Sequence, residues 1–127
     1  PVDAATQSQK ELVIHLVDFL IFLNRQVADH PDEQTTRDPL MLAYWEQILN
    51  GLVYELYFPD ELHAANLRIF DLVAAAQLPE ITKVPEKDRL STLRKVFETL
   101  HDGAHPLKVA LQKLQTLDTV RIIEGKA

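Results

Sequence analysis

The sequence predicts an all-α fold, an antiparallel bundle of about five helices, and three observations carry that prediction. Glycine occurs only three times in 127 residues, while Leu, Ala, Glu and Gln, all good helix formers, recur throughout. Apolar residues return at spacings of three and four in successive segments, the period of a one-sided helix. Short polar or proline-containing stretches separate those segments, and short connections between helices place them as antiparallel neighbours.

The first helix is expected over residues 3–29, with Asp3 as its N-cap. From Leu12 to Leu23 only His15 and Asp18 are polar, so this helix is expected to be buried on several sides. The run is shorter than the about 20 residues needed to span a bilayer. It lacks the basic lead and small-residue cleavage site of a signal peptide. Residues 30–38 form a polar loop ending in Asp38-Pro39, which stops one helix and starts the next.

The second helix is expected over 39–57, with Leu42, Trp45, Leu49, Leu52, Val53 and Leu56 as its core stripe. Gly51 lies inside it at some cost in helix stability, which implies close packing against a neighbour. The third helix runs over 59–77 and buries Leu62, Leu67, Ile69, Phe70, Leu72 and Val73. After a connector at 79–85, the fourth runs over 86–101 with Leu90, Leu93, Val96, Phe97 and Leu100 inward, and Gly103 breaks it. Pro106 opens a short fifth helix through 117. The β-branched run 120–123 leaves a short terminal strand open, although nothing obvious pairs with it.

One helical domain over residues 1–127 suits this length. The chain has no cysteine, which removes disulfides and thiolate metal sites and suits a cytoplasmic protein. It begins at Pro1 rather than Met, so a processed product or an excised domain of a larger protein is expected. The net charge of −6 is unevenly spread. Residues 1–60 carry three basic side chains (Lys10, Arg25, Arg37) against ten acidic ones, and residues 61–127 carry ten basic against nine acidic. No basic stripe of the kind that binds phosphate on its own is visible.

Catalytic patterns are missing from the sequence. Ser8 and Ser91 lie outside any Gly-x-Ser-x-Gly elbow, and the glycines at 51, 103 and 125 stand alone rather than in a phosphate loop. Pro59-Asp60 and Glu124-Gly125-Lys126 match the letters of a metal-dependent nuclease motif. Such carboxylates must project from adjacent strands onto a shared cation, whereas Asp60 opens a helix. His101 and His105 have metal-chelating spacing, but Gly103 and Pro106 put them across a turn, so no metal site is expected. His15 and Asp18, three apart on an apolar helix, are expected to pair with each other. Tyr44, Trp45, Tyr54, Tyr57 and Phe58 could stack bases, yet no Lys or Arg lies between Arg37 and Arg68, so these rings are expected in the core or an interface.

One stretch carries more information than the rest. It reads Gly51-Leu52-Val53-Tyr54-Glu55-Leu56-Tyr57-Phe58-Pro59-Asp60-Glu61-Leu62-His63-Ala64-Ala65, a helix ending in two aromatics with Pro59 opening the next. With the tail Val120-Arg121-Ile122-Ile123-Glu124-Gly125, it resembles the C-terminal region of bacterial type II restriction–modification proteins that carry an adenine-specific DNA methyltransferase module. The resemblance covers most of residues 47–126. It implies a non-catalytic C-terminal domain that follows the target-recognition region and supports DNA recognition or assembly. The methyltransferase's cofactor loop and Asn/Asp-Pro-Pro-aromatic motif are missing from this sequence. Under the resemblance, the S-adenosylmethionine and divalent-metal sites would lie upstream in the parent protein, and no family catalytic residue transfers to this chain.

The expected partners are therefore the rest of the parent enzyme, and DNA only in the full-length context. The residues expected to make contact are Tyr57, Phe58, Glu61 and His63 at the corner and Arg121 near the tail, the last as a phosphate or carboxylate ligand. A different class of reading is a free-standing helical interaction module that homodimerises, motivated by the apolar run in the first helix.

Overall fold

A computed structural model describes residues 6–117 together with Val120 and Ile122. Among the described residues there are six α-helices and no strand: α1 (Gln7–Asp29), α2 (Asp38–Tyr57), α3 (Pro59–Ala64), α4 (Ile69–Ala76), α5 (Glu86–Leu100) and α6 (Pro106–Leu114). Two single 3-10 turns, Pro31–Glu33 and Ile81–Lys83, lie in the connectors. The helices pack against one another as an all-α bundle. The terminal strand left open at 120–123 is not formed, since Val120 and Ile122 are helical; the other two residues of that run lie outside the described residues.

The start of α1 differs from the expected cap. Thr6 is the N-cap, accepting the Gln9 N–H at 3.1 Å, and Gln9 Oε1 accepts the Thr6 N–H at 2.9 Å. This reciprocal pair satisfies two of the backbone donors that a helix start leaves open. Asp3 lies outside the described residues. α1 buries Leu16, Phe19 and Leu23 only. Ile14, Val17, Ile21 and Val27 on its other sides are exposed, so the expectation of a helix buried on several sides is corrected.

α2 is the central element and touches each of the other five helices. Its buried face is Met41, Tyr44, Trp45, Ile48 and Leu52, rotated from the expected stripe: Leu42, Leu49 and Leu56 lie at the edge of the core and Val53 is exposed. So central a helix is apolar on most of its surface, which leaves its spacing unable to select one face. Trp45 is fully buried, and Phe19 of α1 meets its ring edge-on at 5.2 Å, an arrangement favoured by the ring quadrupoles.

The third expected helix is two. Leu67 N–H donates to Leu62 O at 2.8 Å and Asn66 N–H donates to His63 O at 3.0 Å, with Asn66 at φ 60°. These two bonds around a left-handed residue form the Schellman stop, and asparagine tolerates that backbone region better than most residues. The chain then turns through Arg68 into α4. α5 and α6 close the bundle, with Leu93, Phe97 and Leu100 from one and Leu107, Leu111 and Leu114 from the other buried. α6 ends at Leu114, three residues before the expected end.

Gly51 has the close neighbours its position implied. A Cβ built there would lie 3.3 Å from Leu111 Cδ2 and 3.4 Å from Ile69 Cγ2. The missing side chain lets α4 and α6 approach the α2 backbone.

Candidate functional site

The segment singled out by its sequence folds into one corner, where α2 ends, α3 starts and α4 begins. Pro59 at the first position of α3 has no N–H and cannot continue α2. Phe58 takes up the bend at φ −132° and ψ 55°, and its N–H still donates to Tyr54 O at 2.7 Å. Asp60 and Glu61 fall in the first turn of α3, where the helix dipole favours negative charge.

Glu55 binds the corner together. It is 8% exposed. One carboxylate oxygen accepts the Phe70 N–H at 2.9 Å, and the other lies 2.8 Å from His63 Nε2. Phe70 is the second residue of α4, whose own N-cap residue, Arg68, makes no side-chain capping bond. A carboxylate from α2 thus caps a helix that begins fourteen residues later. It also sits at the positive end of that helix's dipole. Lys113 of α6 donates to Ala65 O at 2.6 Å and ties the corner to the end of α6.

The expected contact residues separate into two groups. Phe58 packs against the core and His63 is held by Glu55, so these two shape the corner from within. Tyr57, 51% exposed, and Glu61 face solvent. Arg121 lies outside the described residues. Glu55 is the residue that sequence reasoning missed. A glutamate between Leu52 and Leu56 on an otherwise apolar helix end was its only trace.

A second polar cluster joins the start of α2 to α5. Arg94 grips Asp38 with two bonds, Nε to Oδ1 at 3.1 Å and a terminal nitrogen to Oδ2 at 2.7 Å, and also donates to Glu33 O at 3.0 Å. Thr35 N–H adds a fourth bond, to Asp38 Oδ2 at 2.8 Å. Burial pushes the Asp38 carboxyl up, but Arg94 and Thr35 together outweigh it and hold the group below the usual carboxylate value.

A third cluster is aromatic. Tyr44 donates its hydroxyl to Leu100 O at 2.7 Å, and burial pushes its phenol well above the ordinary value. His101 meets the Tyr44 ring edge-on at 4.9 Å and lies 3.1 Å from Lys108 Nζ. Burial first, then the Lys108 and Arg37 charges, push His101 below the ordinary imidazole value. His101 stands at the end of α5, and these effects disfavour its cationic form there. His105 starts α6, accepting the Leu107 N–H at its Nδ1.

His15 and Asp18 share no hydrogen bond or ion pair among the described residues; this corrects the expected pairing. Asp18 instead lines a cleft of about 410 Å³ between the second half of α1 and the start of α5, with Phe22, Arg25, His30 and Arg89. Arg89 is already committed there to the carbonyls of Val84 and Thr82. Among the described residues, no three His, Asp or Glu side chains converge as a metal-binding group. No helix among them is long and apolar enough to cross a membrane. Comparison with protein-family models, with curated proteins and with solved structures returns no match.

Proposed function

We propose that this chain is a non-catalytic helical domain of a bacterial restriction–modification enzyme, bracing its DNA-recognition module or another part of the assembly. The methyltransferase, its S-adenosylmethionine and any divalent-metal chemistry would lie elsewhere in a cytoplasmic parent protein. The observation that supports this reading is that residues 51–65, which carry the resemblance, form one buttressed corner. Glu55, Phe58 and His63 hold it from inside, and Tyr57 and Glu61 are presented outward. A rigid corner with an exposed aromatic and a carboxylate suits docking against another protein surface.

The test is made in the full-length parent. Tyr57→Ala with Glu61→Ala, and separately Arg121→Ala, should weaken DNA binding or assembly while the helical circular-dichroism signal stays unchanged. Unaltered binding and activity in both variants would remove the role. The mass of the endogenous polypeptide is the first measurement: a denaturing immunoblot band several times heavier than 14.5 kDa supports the reading, and a band at that mass sinks it.

A second reading, a free-standing helical interaction module that homodimerises, is favoured by one specific observation. Ile14, Val17 and Ile21 form an exposed apolar stripe on α1, on the side away from Leu16, Phe19 and Leu23.

A further inference from the structure

Along the outer face of α1, the exposed residues Lys10, Ile14, Val17, Ile21, Asn24 and Ala28 recur at alternating steps of four and three. That is the seam of a heptad repeat, with apolar residues at its centre and polar or small ones at its ends. The two flanks of the seam differ in chemistry. One carries Glu11, Asp18 and Arg25, seven residues apart; the other carries Val13, Leu20 and Val27, also seven apart. Val27 is exposed, while Val13 and Leu20 reach the seam from the edge of the core.

We propose that this face pairs with α1 of a second copy of the chain, antiparallel, about a twofold axis beside Asp18. This sharpens the homodimer reading above, but it is a property of α1 and holds whether the chain stands alone or within a larger enzyme. The charge pattern selects both partner and direction. In antiparallel helix pairs each flank meets its own kind. Glu11 of each copy then faces the partner's Arg25, Val13 faces the partner's Val27, and Leu20 meets the partner's Leu20. Val17 packs on the partner's Ile21, and Lys10 falls opposite the partner's Ala28 at the open end. A parallel pair would stack Lys10 on the partner's Lys10 within the seam, and would set Val13 against the partner's Asp18. Its two flanks would be mismatched along their length.

The antiparallel pair has two unfavourable contacts: Asp18 meets the partner's Asp18 at the axis, and Ile14 lies opposite the partner's Asn24 within the seam. Only three apolar side chains of each copy fill the seam, so the dimer belongs with the weaker, reversible interfaces.

The test uses the full 127-residue chain in sedimentation equilibrium and oxidative cross-linking, the latter made clean by the absence of native cysteine. Self-association that rises with concentration is expected. Arg25→Glu should weaken it by about tenfold, since two attractive pairs become repulsive, and adding Glu11→Arg should restore it. Ile21→Lys should abolish it with helicity unchanged, because Ile21 is exposed in the single chain. A mixture of Lys10→Cys and Ala28→Cys chains should cross-link to each other, and neither should cross-link to itself. A chain that is monomeric at about 1 mM overturns the pairing. Self-cross-linking of Lys10→Cys alone overturns the antiparallel arrangement. Neither result bears on the parent-enzyme reading, which the endogenous mass decides.

Discussion

The carboxylate of Glu55 caps the Phe70 N–H at 2.9 Å from a different helix, and so fixes where α4 starts relative to α2. His63 occupies the other oxygen, leaving this nearly buried carboxylate partnered on both sides. Removing it strands a buried backbone donor and an imidazole. Glu55→Ala should therefore cost about 1–3 kcal/mol in urea unfolding. Glu55→Gln keeps an acceptor and should cost less. Equal losses for the two variants would mean that packing, rather than capping, is what Glu55 contributes.

Asp38 and Arg94 set the acid limit of the fold. The folded-state pKa of Asp38 lies below its unfolded value of about 3.9. Its contribution is therefore present above that unfolded value and is lost as pH falls through the lowered folded one. Without Arg94, only the Thr35 bond remains to oppose burial, which raises the group. Arg94→Met should move the acid-unfolding midpoint to higher pH, and at neutral pH should cost about 1–3 kcal/mol, because a largely buried carboxylate loses its main partner. An unchanged acid midpoint would show that the pair carries no pH-dependent stability.

His101 acts on a higher pH window. Its folded-state pKa is below the ordinary value of about 6.5, so the folded state prefers the neutral ring. The associated stability is present above that ordinary value and falls as pH drops toward the lowered one. Burial is the larger cause and Lys108 the next. Lys108→Met should therefore raise the His101 titration midpoint, read from its ring protons by NMR, without bringing it fully to the ordinary value. A midpoint that stays in place would exclude Lys108 as a cause.

Gly51 sits where two leucines and an isoleucine close on the α2 backbone. Leu111 and Ile69 are fully buried and have little room to retreat. Gly51→Leu should destabilise by about 2–3 kcal/mol through overpacking, measured by thermal or urea unfolding. At Gly51→Ala the gain in helix propensity opposes a smaller clash, so its loss should be well below that of the leucine variant. A leucine variant as stable as the parent would show that α4 and α6 can move away freely.

Much of the fold was legible along the chain. Proline at helix starts located α2, α3 and α6, because a residue without an N–H is tolerated there and disruptive elsewhere. The inward leucines and Phe97 of α5 followed from their spacing. The break at Asn66 did not, since asparagine adopts the left-handed conformation only where the surrounding bonds reward it, here those to Leu62 and His63. The corner was legible as a bend, while the internal bonds that support it were not: His63 and Phe58, expected as contact residues, are also placed where they hold the bend.

Local chemistry along the chain was enough to specify helices, their approximate ends and an all-α class, because caps, proline positions and apolar period act within a few residues. Tertiary structure alone decided which face of α2 lies inward, that Glu55 caps α4, that Arg94 reaches Asp38 across 56 positions, and that Ile14, Val17 and Ile21 stay outside the core. Each of these depends on which helix packs beside which. A helix with apolar residues on several faces leaves its spacing ambiguous, and only the neighbours it meets in space select among them.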